Sequence, residues 1–176
     1  MVPGLEVKFV GGAPVLTEGQ LIEGYASLFG LTDQGGDSVL PGAFSASLAR
    51  LAAKGDKVRM LWQHDPTRPI GVWDEVREDA QGLWVKGRLL PEVAQAREAA
   101  ALIQAGAIDG LSIGYRTIRA ERDKNGKRVL AEVELWEVSL VTFPMLPEAK
   151  VGRKENDDLR DMAALFLQAS EVLRDR

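Results

Sequence analysis

Six segments of the chain alternate apolar and polar residues with a period of two, and this alternation constrains the fold more than any other feature. A period of two places successive side chains on opposite faces of a β-sheet. The segments are residues 21–29, 57–62, 70–77, 83–89, 111–118 and 129–143. Residues of turn-forming type lie between them, notably at 33–37 (DQGGD) and 123–126 (DKNG). The pattern predicts strands that meet through hairpins, the second turn closing one of them.

Two further segments have the period of amphipathic helices. They span residues 43–53 and 92–105, and Gly106 ends the second because glycine readily adopts the left-handed conformation that follows a helix. The strand–helix alternation of a doubly wound α/β fold is absent. We therefore expect a mainly β fold with peripheral helices, in which a mostly antiparallel sheet forms a closed or partly closed β-barrel.

The composition of the chain changes beyond Pro144 and Pro147. Residues 156–176 have the pattern of one amphipathic helix, with an apolar stripe of Leu159, Met162, Phe166, Ala169 and Leu173. We therefore predict a folded domain over residues 1–150, followed over residues 151–176 by a linker and a C-terminal amphipathic helix. The pattern leaves open whether this helix packs on its own domain or pairs with another copy or a partner.

Composition limits the chemistry. The 176 residues include one histidine and no cysteine, which removes disulfides, thiolate catalysis and the usual zinc cages. A net charge of −4 argues against a protein that neutralises a phosphate backbone. No apolar run approaches the ~20 residues of a membrane span, and the first residues lack a signal-peptide pattern. We expect a cytoplasmic protein with no cofactor, no metal, no nucleic acid partner and no membrane partner.

The segment 110–114 (GLSIG) has the form G-x-S-x-G, which in α/β-hydrolases exposes a nucleophilic serine on a strained turn. Those enzymes need a histidine after the serine, but His64 precedes Ser112. The ordinary hydrolase arrangement is therefore excluded, and the order His64 then Ser112 is the one possible for a base and its nucleophile. Two structural interpretations stay open: His64 as a turn residue bonded to Asp65 or the backbone, and Ser112 as a small residue at a strand entry.

A third group must orient the histidine, and Glu137 is the best candidate. Alternate residues of its strand share one face in the sequence pattern, and Glu137 is the single carboxylate among them: Val133, Leu135, Glu137, Ser139 and Val141. Burying an unpaired carboxylate costs several kcal/mol, so a specific hydrogen-bonded role is indicated. A salt bridge with an arginine is the structural alternative. Asp109 competes for the acid role and Ser139 for the nucleophile role.

Four stretches together resemble one known family. They are residues 23–29 (EGYASLF) with 39–44 (VLPGAF), 61–65 (LWQHD) with 69–71 (PIG), 110–115 (GLSIGY) and 135–144 (LWEVSLVTFP). In this order, over about residues 20–150, they resemble the prohead, or capsid-maturation, proteases of tailed bacteriophages. The fold of that family is similar to that of the herpesvirus assemblin proteases, so the resemblance implies an assemblin-like barrel.

The resemblance implies a serine endopeptidase in which His64, Ser112 and Glu137 are catalytic. It also implies the substrate, which is the scaffolding segment of the major capsid protein and possibly the protease itself. The place of action would be the assembling procapsid in the cytoplasm of the bacterial host. The C-terminal segment would then serve targeting, dimerisation or removal by self-cleavage.

Acyl transfer also needs donors for the oxyanion, and we expect the backbone N–H of Met145, because Pro144 has none to give. Two rival functions remain. A non-enzymatic capsid scaffold or assembly protein would use the same barrel and its terminal helix for self-association. A metal-dependent hydrolase would use Asp33, Asp37 and His64, although residues 33–37 have the pattern of a turn.

Overall fold

The computed structural model describes residues 6–10, 15–17, 20–33 and 35–143. Nine strands and two helices lie within these ranges. In chain order they are β1 (Glu6–Val10), β2 (Val15–Thr17), β3 (Leu21–Leu28), β4 (Asp37–Val39), α1 (Ser45–Lys54), β5 (Arg59–Trp62), β6 (Asp65–Glu78), β7 (Gly82–Leu89), α2 (Ala94–Gln104), β8 (Gly110–Arg122) and β9 (Arg128–Val141).

All nine strands belong to one sheet, with the order β1-β8-β9-β5-β6-β7-β3-β2 and β4 paired to β9. The pairings are antiparallel except for β4 with β9 and β5 with β9. The sheet curls, so that β3 also contacts β1 and β8. The fold is therefore mainly β, a curled half-barrel with few helices, as the alternation predicts.

The predicted elements correspond closely to the observed ones. Each of the six alternating segments overlaps a strand, and both helical segments overlap a helix. The turn at 123–126 closes the β8–β9 hairpin, where Gly126 N donates to Asp123 O at 3.0 Å. The short strands β1, β2 and β4 were not predicted.

Several predictions fall on residues outside the described ranges. These are the C-terminal helix over 156–176, the linker that precedes it, and Met145. The boundary near residue 150 stays a prediction. Among the described residues, no helix has the length and apolar character needed to cross a membrane.

Both helices lie against the sheet, and α1 contacts β9 and helps to fix it. Helix α1 ends at Gly55, whose φ of +66° is the left-handed conformation that glycine adopts without strain. The buried Ser47 of α1 accepts a hydrogen bond from the backbone N–H of Leu135 at 2.9 Å. This bond holds the strand just before the position of Glu137.

Candidate active site

His64 lies at the tip of a two-residue turn between β5 and β6. Gln63 and His64 both have positive φ, at +52° and +59°, as a type I′ hairpin turn requires at its two central positions. Residues with a side chain adopt this region at a cost of about 1–3 kcal/mol each. The turn must therefore be held by contacts elsewhere in the protein.

Strand β9 supplies these contacts. Because β5 runs parallel to β9, the two strands end at the same edge of the sheet. The backbone N–H of Gln63 donates to Leu140 O at 3.0 Å. Its side chain donates from Nε2 to Thr142 Oγ1 at 2.5 Å and accepts from Thr142 N at 3.4 Å. The backbone N–H of His64 donates to Ser139 Oγ at 3.1 Å.

A β-bulge in β9 determines the direction of Glu137. Glu137 is paired with Gly114, but the next β8 residue, Tyr115, is paired with Leu135, so Trp136 is an extra residue. An extra residue reverses the facing of the strand beyond it. Leu135 and Val138 therefore both belong to the hydrophobic core, and Glu137 points to the opposite face. The predicted single face from Val133 to Val141 is wrong for this reason.

The same register places four positions together on the face opposite the core. Ser112 is paired with Ser139, and Gly114 is paired with Glu137. Directly opposite residues in an antiparallel pair have Cβ atoms about 4.5–5.5 Å apart on one face. Ser112, Glu137 and Ser139 are buried, with relative exposures of 0%, 3% and 0%. Ser112 thus lies across from the strand segment that holds the turn of His64.

Glu137 lies on this face and contacts the ring of His64. Its Oε1 lies 2.6 Å from His64 Nδ1, and the His64 and Glu137 side chains are only 14% and 4% exposed. Its Oε2 accepts a hydrogen bond from Ser139 Oγ at 2.6 Å. Among the described residues the contacts of Glu137 are with His64 and Ser139, and no arginine of this part of the chain forms a salt bridge with it. Arg59, its neighbour on β5, instead pairs with Asp56 at 2.8 Å.

This geometry has a defined chemical meaning. An ionised carboxylate can only accept, so with Glu137 in that form the contact requires the proton of the ring to be on Nδ1 of His64. Proton exchange with a reacting group would then use Nε2. A carboxylate behind Nδ1 fixes the tautomer and stabilises the imidazolium that forms when Nε2 takes a proton. The arrangement therefore suits His64 to general-base chemistry.

The competing residues lie elsewhere or act differently. Asp109 is half-buried, immediately before β8, and the ring of His64 contacts Glu137 instead. Asp33 lies in the turn before β4 and Asp37 is the first residue of β4; Asp33 Oδ1 accepts from Asp37 N, and Asp37 pairs with Arg128 at 2.8 Å. Within the described ranges, no group of three or more His, Asp or Glu residues is arranged to hold a metal.

Gly114 has a role that the motif did not reveal. It lies within strand β8 and is absent from the residues with positive φ, so G-L-S-I-G is not a strained nucleophile elbow here. A Cβ built on Gly114 would lie 2.7 Å from Cδ of Glu137 and closer still to Oε1. The glycine therefore leaves the space that the glutamate occupies. The Gln63–Thr142 contact was also missed, because the two residues are far apart in sequence.

The fold and site together define a mainly β protein in which a histidine, a serine and a buried carboxylate lie at one edge of a sheet. The chain belongs to the family of Caudovirus prohead serine proteases, whose model matches residues 10–163. The resemblance seen in the sequence is thus confirmed.

Individual relatives agree with this assignment. The chain is 34% identical over 157 residues to the prohead protease of Enterobacteria phage HK97, covering 87% of this chain and 66% of that protein. It is 32% identical over 128 residues to the capsid polyprotein of Pseudomonas phage PAJU2, covering 66% of this chain and 19% of that protein. The chain thus spans less than two thirds of the length of both relatives.

A solved structure has a similar fold. The bacteriophage T4 capsid assembly protease matches with a TM-score of 0.61 and 15% sequence identity, covering 78% of this chain and 96% of that chain. At this level of identity the match supports the architecture of the curled sheet and says nothing about individual site residues.

Proposed function

We propose that this protein is a serine endopeptidase of phage head maturation, with Ser112 as nucleophile, His64 as general base and Glu137 as the orienting acid. The observation that carries the proposal is the 2.6 Å contact between Glu137 Oε1 and His64 Nδ1. It lies on the sheet face that bears Ser112, and membership of a serine protease family supports the same assignment.

The proposed reaction is acyl transfer. Nε2 of His64 takes the Ser112 proton while Oγ attacks the peptide carbonyl, and Glu137 stabilises the resulting imidazolium. The imidazolium then protonates the leaving amine, and water hydrolyses the acyl-enzyme by the same route. We assign the backbone N–H of Met145 to the oxyanion. In support, Thr142, three residues earlier in the chain, is hydrogen-bonded to Gln63 beside the histidine.

We assign the scaffolding segment of the major capsid protein as substrate, with self-cleavage as a second activity. The name of the PAJU2 relative, a capsid polyprotein, supports a link between this kind of domain and capsid protein. Cleavage would take place inside the assembling procapsid, in the cytoplasm of the bacterial host. We assign residues 1–150 to the protease domain, and the helix predicted over 156–176 would pair copies of the chain.

A non-enzymatic assembly protein accounts less well for the site. Self-association through a barrel surface and a helix requires no buried carboxylate against the single histidine of the chain. Removing such a pair from water costs free energy, so its presence favours a function that uses it.

A fluorophosphonate probe tests the proposal directly. We expect the probe to form one covalent adduct, located on Ser112 by mass spectrometry, because a base-activated serine attacks phosphorus as it attacks a carbonyl. Because Ser112 is fully buried, restricted access of the probe could by itself prevent labelling. Cleavage of the capsid precursor is therefore measured in parallel. The matched control is Ser27→Ala, which removes an equally buried serine from β3. An intact precursor together with an unlabelled Ser112 would refute the assignment.

A pair of amide substitutions tests the identity of the acid. We expect Glu137→Gln to lower kcat about 10²–10⁴-fold, because the side chain keeps its shape but loses the charge that stabilises the imidazolium. Asp109→Asn, a matched change at the competing carboxylate, should leave kcat near the wild-type value. Steady-state cleavage of a peptide spanning the scissile bond measures both. A larger loss of kcat in Asp109→Asn than in Glu137→Gln would identify Asp109 as the acid.

A further inference from the structure

We propose that Ser139 and Gly114 position Glu137 for its contact with His64, which makes Ser139 a positioning residue of the catalytic site. This inference rests on the proposed function. Ser139 Oγ donates to Glu137 Oε2 at 2.6 Å and accepts from the backbone N–H of His64 at 3.1 Å. One hydroxyl thus contacts both the acid and the chain that carries the base.

The hydroxyl of Ser139 fixes the plane of the carboxylate. The terminal torsion of a glutamate is broad, so rotamer preference alone does not orient its two oxygens. In Glu137, Oε1 faces Nδ1 of His64 and Oε2 receives the Ser139 proton. Without the second bond the carboxylate could rotate away from the imidazole, and a buried oxygen would lose its donor.

The same hydroxyl stabilises the turn of His64. The positive φ of His64 is strained for a residue with a side chain, and the bond from its N–H to Ser139 is one of the contacts that hold it. Ser139 is fully buried, so water does not compete for these bonds. The loss of the hydroxyl therefore affects both partners of the His64–Glu137 contact.

Gly114 acts on Glu137 from the other strand. It is paired with Glu137 in the sheet, and the carboxylate occupies the volume where any larger residue would place its Cβ. Because Gly114 does not have positive φ, the requirement for glycine here is one of space. A methyl group at this position would displace the flexible end of the glutamate, leaving the backbone pairing intact.

The kinetic test uses Ser139→Ala together with the isosteric pair Ser139→Thr and Ser139→Val. Thr and Val add the same volume and differ in the hydroxyl, so their difference isolates the hydrogen bonds. We expect Ala and Val to lower kcat about 10–100-fold with little change in KM, because misplacement of catalytic groups by about 1 Å costs this much. Thr should retain most of the activity. Wild-type kcat in Ser139→Ala overturns the proposal, and so does loss as complete as in Ser112→Ala, which would make Ser139 the nucleophile.

A spectroscopic test needs no cleavage. Because the chain has one histidine, ¹⁵N-labelled histidine in an untagged protein gives the signals of His64 alone. We expect the Nδ1–H proton to be observed in wild type and Ser139→Thr, and to be lost or strongly shifted in Ser139→Val and Gly114→Ala. Ser27→Ala is the control and should match wild type.

The two readouts separate the positioning role from the enzymatic assignment. If the wild type cleaves nothing but the Nδ1–H signal follows the Ser139 hydroxyl, the proposed function fails and the positioning of Glu137 stands. If Ser139→Val and Gly114→Ala both retain the wild-type signal in folded protein, the positioning role is refuted whatever the activity.

Discussion

Replacement of Ser112 with alanine is expected to abolish cleavage of the capsid precursor while the protein stays folded. The change removes only the oxygen atom of the proposed nucleophile, on a strand whose neighbours on β9 keep their own hydrogen bonds. Loss of a nucleophile of this kind lowers kcat by about 10⁶-fold. A gel assay should therefore show no cleavage product. Co-expression with the precursor, followed by mass analysis of both proteins, measures the effect.

The control for this loss is Ser27→Ala. Ser27 is also 0% exposed, it lies on β3, and its hydroxyl has no hydrogen-bond partner among the described residues. Its removal should leave cleavage unchanged, so a loss in Ser112→Ala cannot be assigned to a missing buried hydroxyl in general. Normal processing by Ser112→Ala, with a wild-type melting temperature, would contradict the mechanism.

The sequence predicted the parts of the fold that local pattern controls. Alternation and turn composition identified β3 and the strands from β5 to β9, because each is joined to its neighbour by a hairpin or follows a clear helix. It missed β4, which has three residues and pairs with β9 across the chain. The parallel pairing of β5 with β9 was missed for the same reason, since nothing local encodes it.

The sequence likewise predicted some features of the candidate site and missed others. Chain order selected His64 and Ser112, and an isolated carboxylate on a strand selected Glu137. The sequence did not predict the bulge at Trp136, because period-two reasoning assumes a regular strand. Without that bulge, Glu137 would share the core face of Leu135, where a carboxylate is costly. Glu137 does contact the ring of His64, although the argument about its face was wrong, and its catalytic role stays a prediction.

Removal of the imidazole should be as damaging as removal of the nucleophile. We expect His64→Gln to cleave no precursor, because its amide cannot accept a proton from Ser112 but can still donate to Glu137, which avoids an unpaired buried charge. Gln63 already adopts a φ of +52° in the same turn, so a glutamine at the next position fits the backbone. The melting temperature should therefore stay close to that of the wild type.

A second variant of the same residue allows the base to be restored. His64→Gly also suits the turn, because glycine adopts the φ of +59° without strain, and it leaves a space beside Glu137 that can take free imidazole. We expect added imidazole to recover part of the cleavage in His64→Gly and none in Ser112→Ala, since the ring replaces the base and not the nucleophile. Precursor cleavage at increasing imidazole concentration measures the recovery. If His64→Gln or His64→Gly processes the precursor at the wild-type rate without imidazole, His64 is not the base.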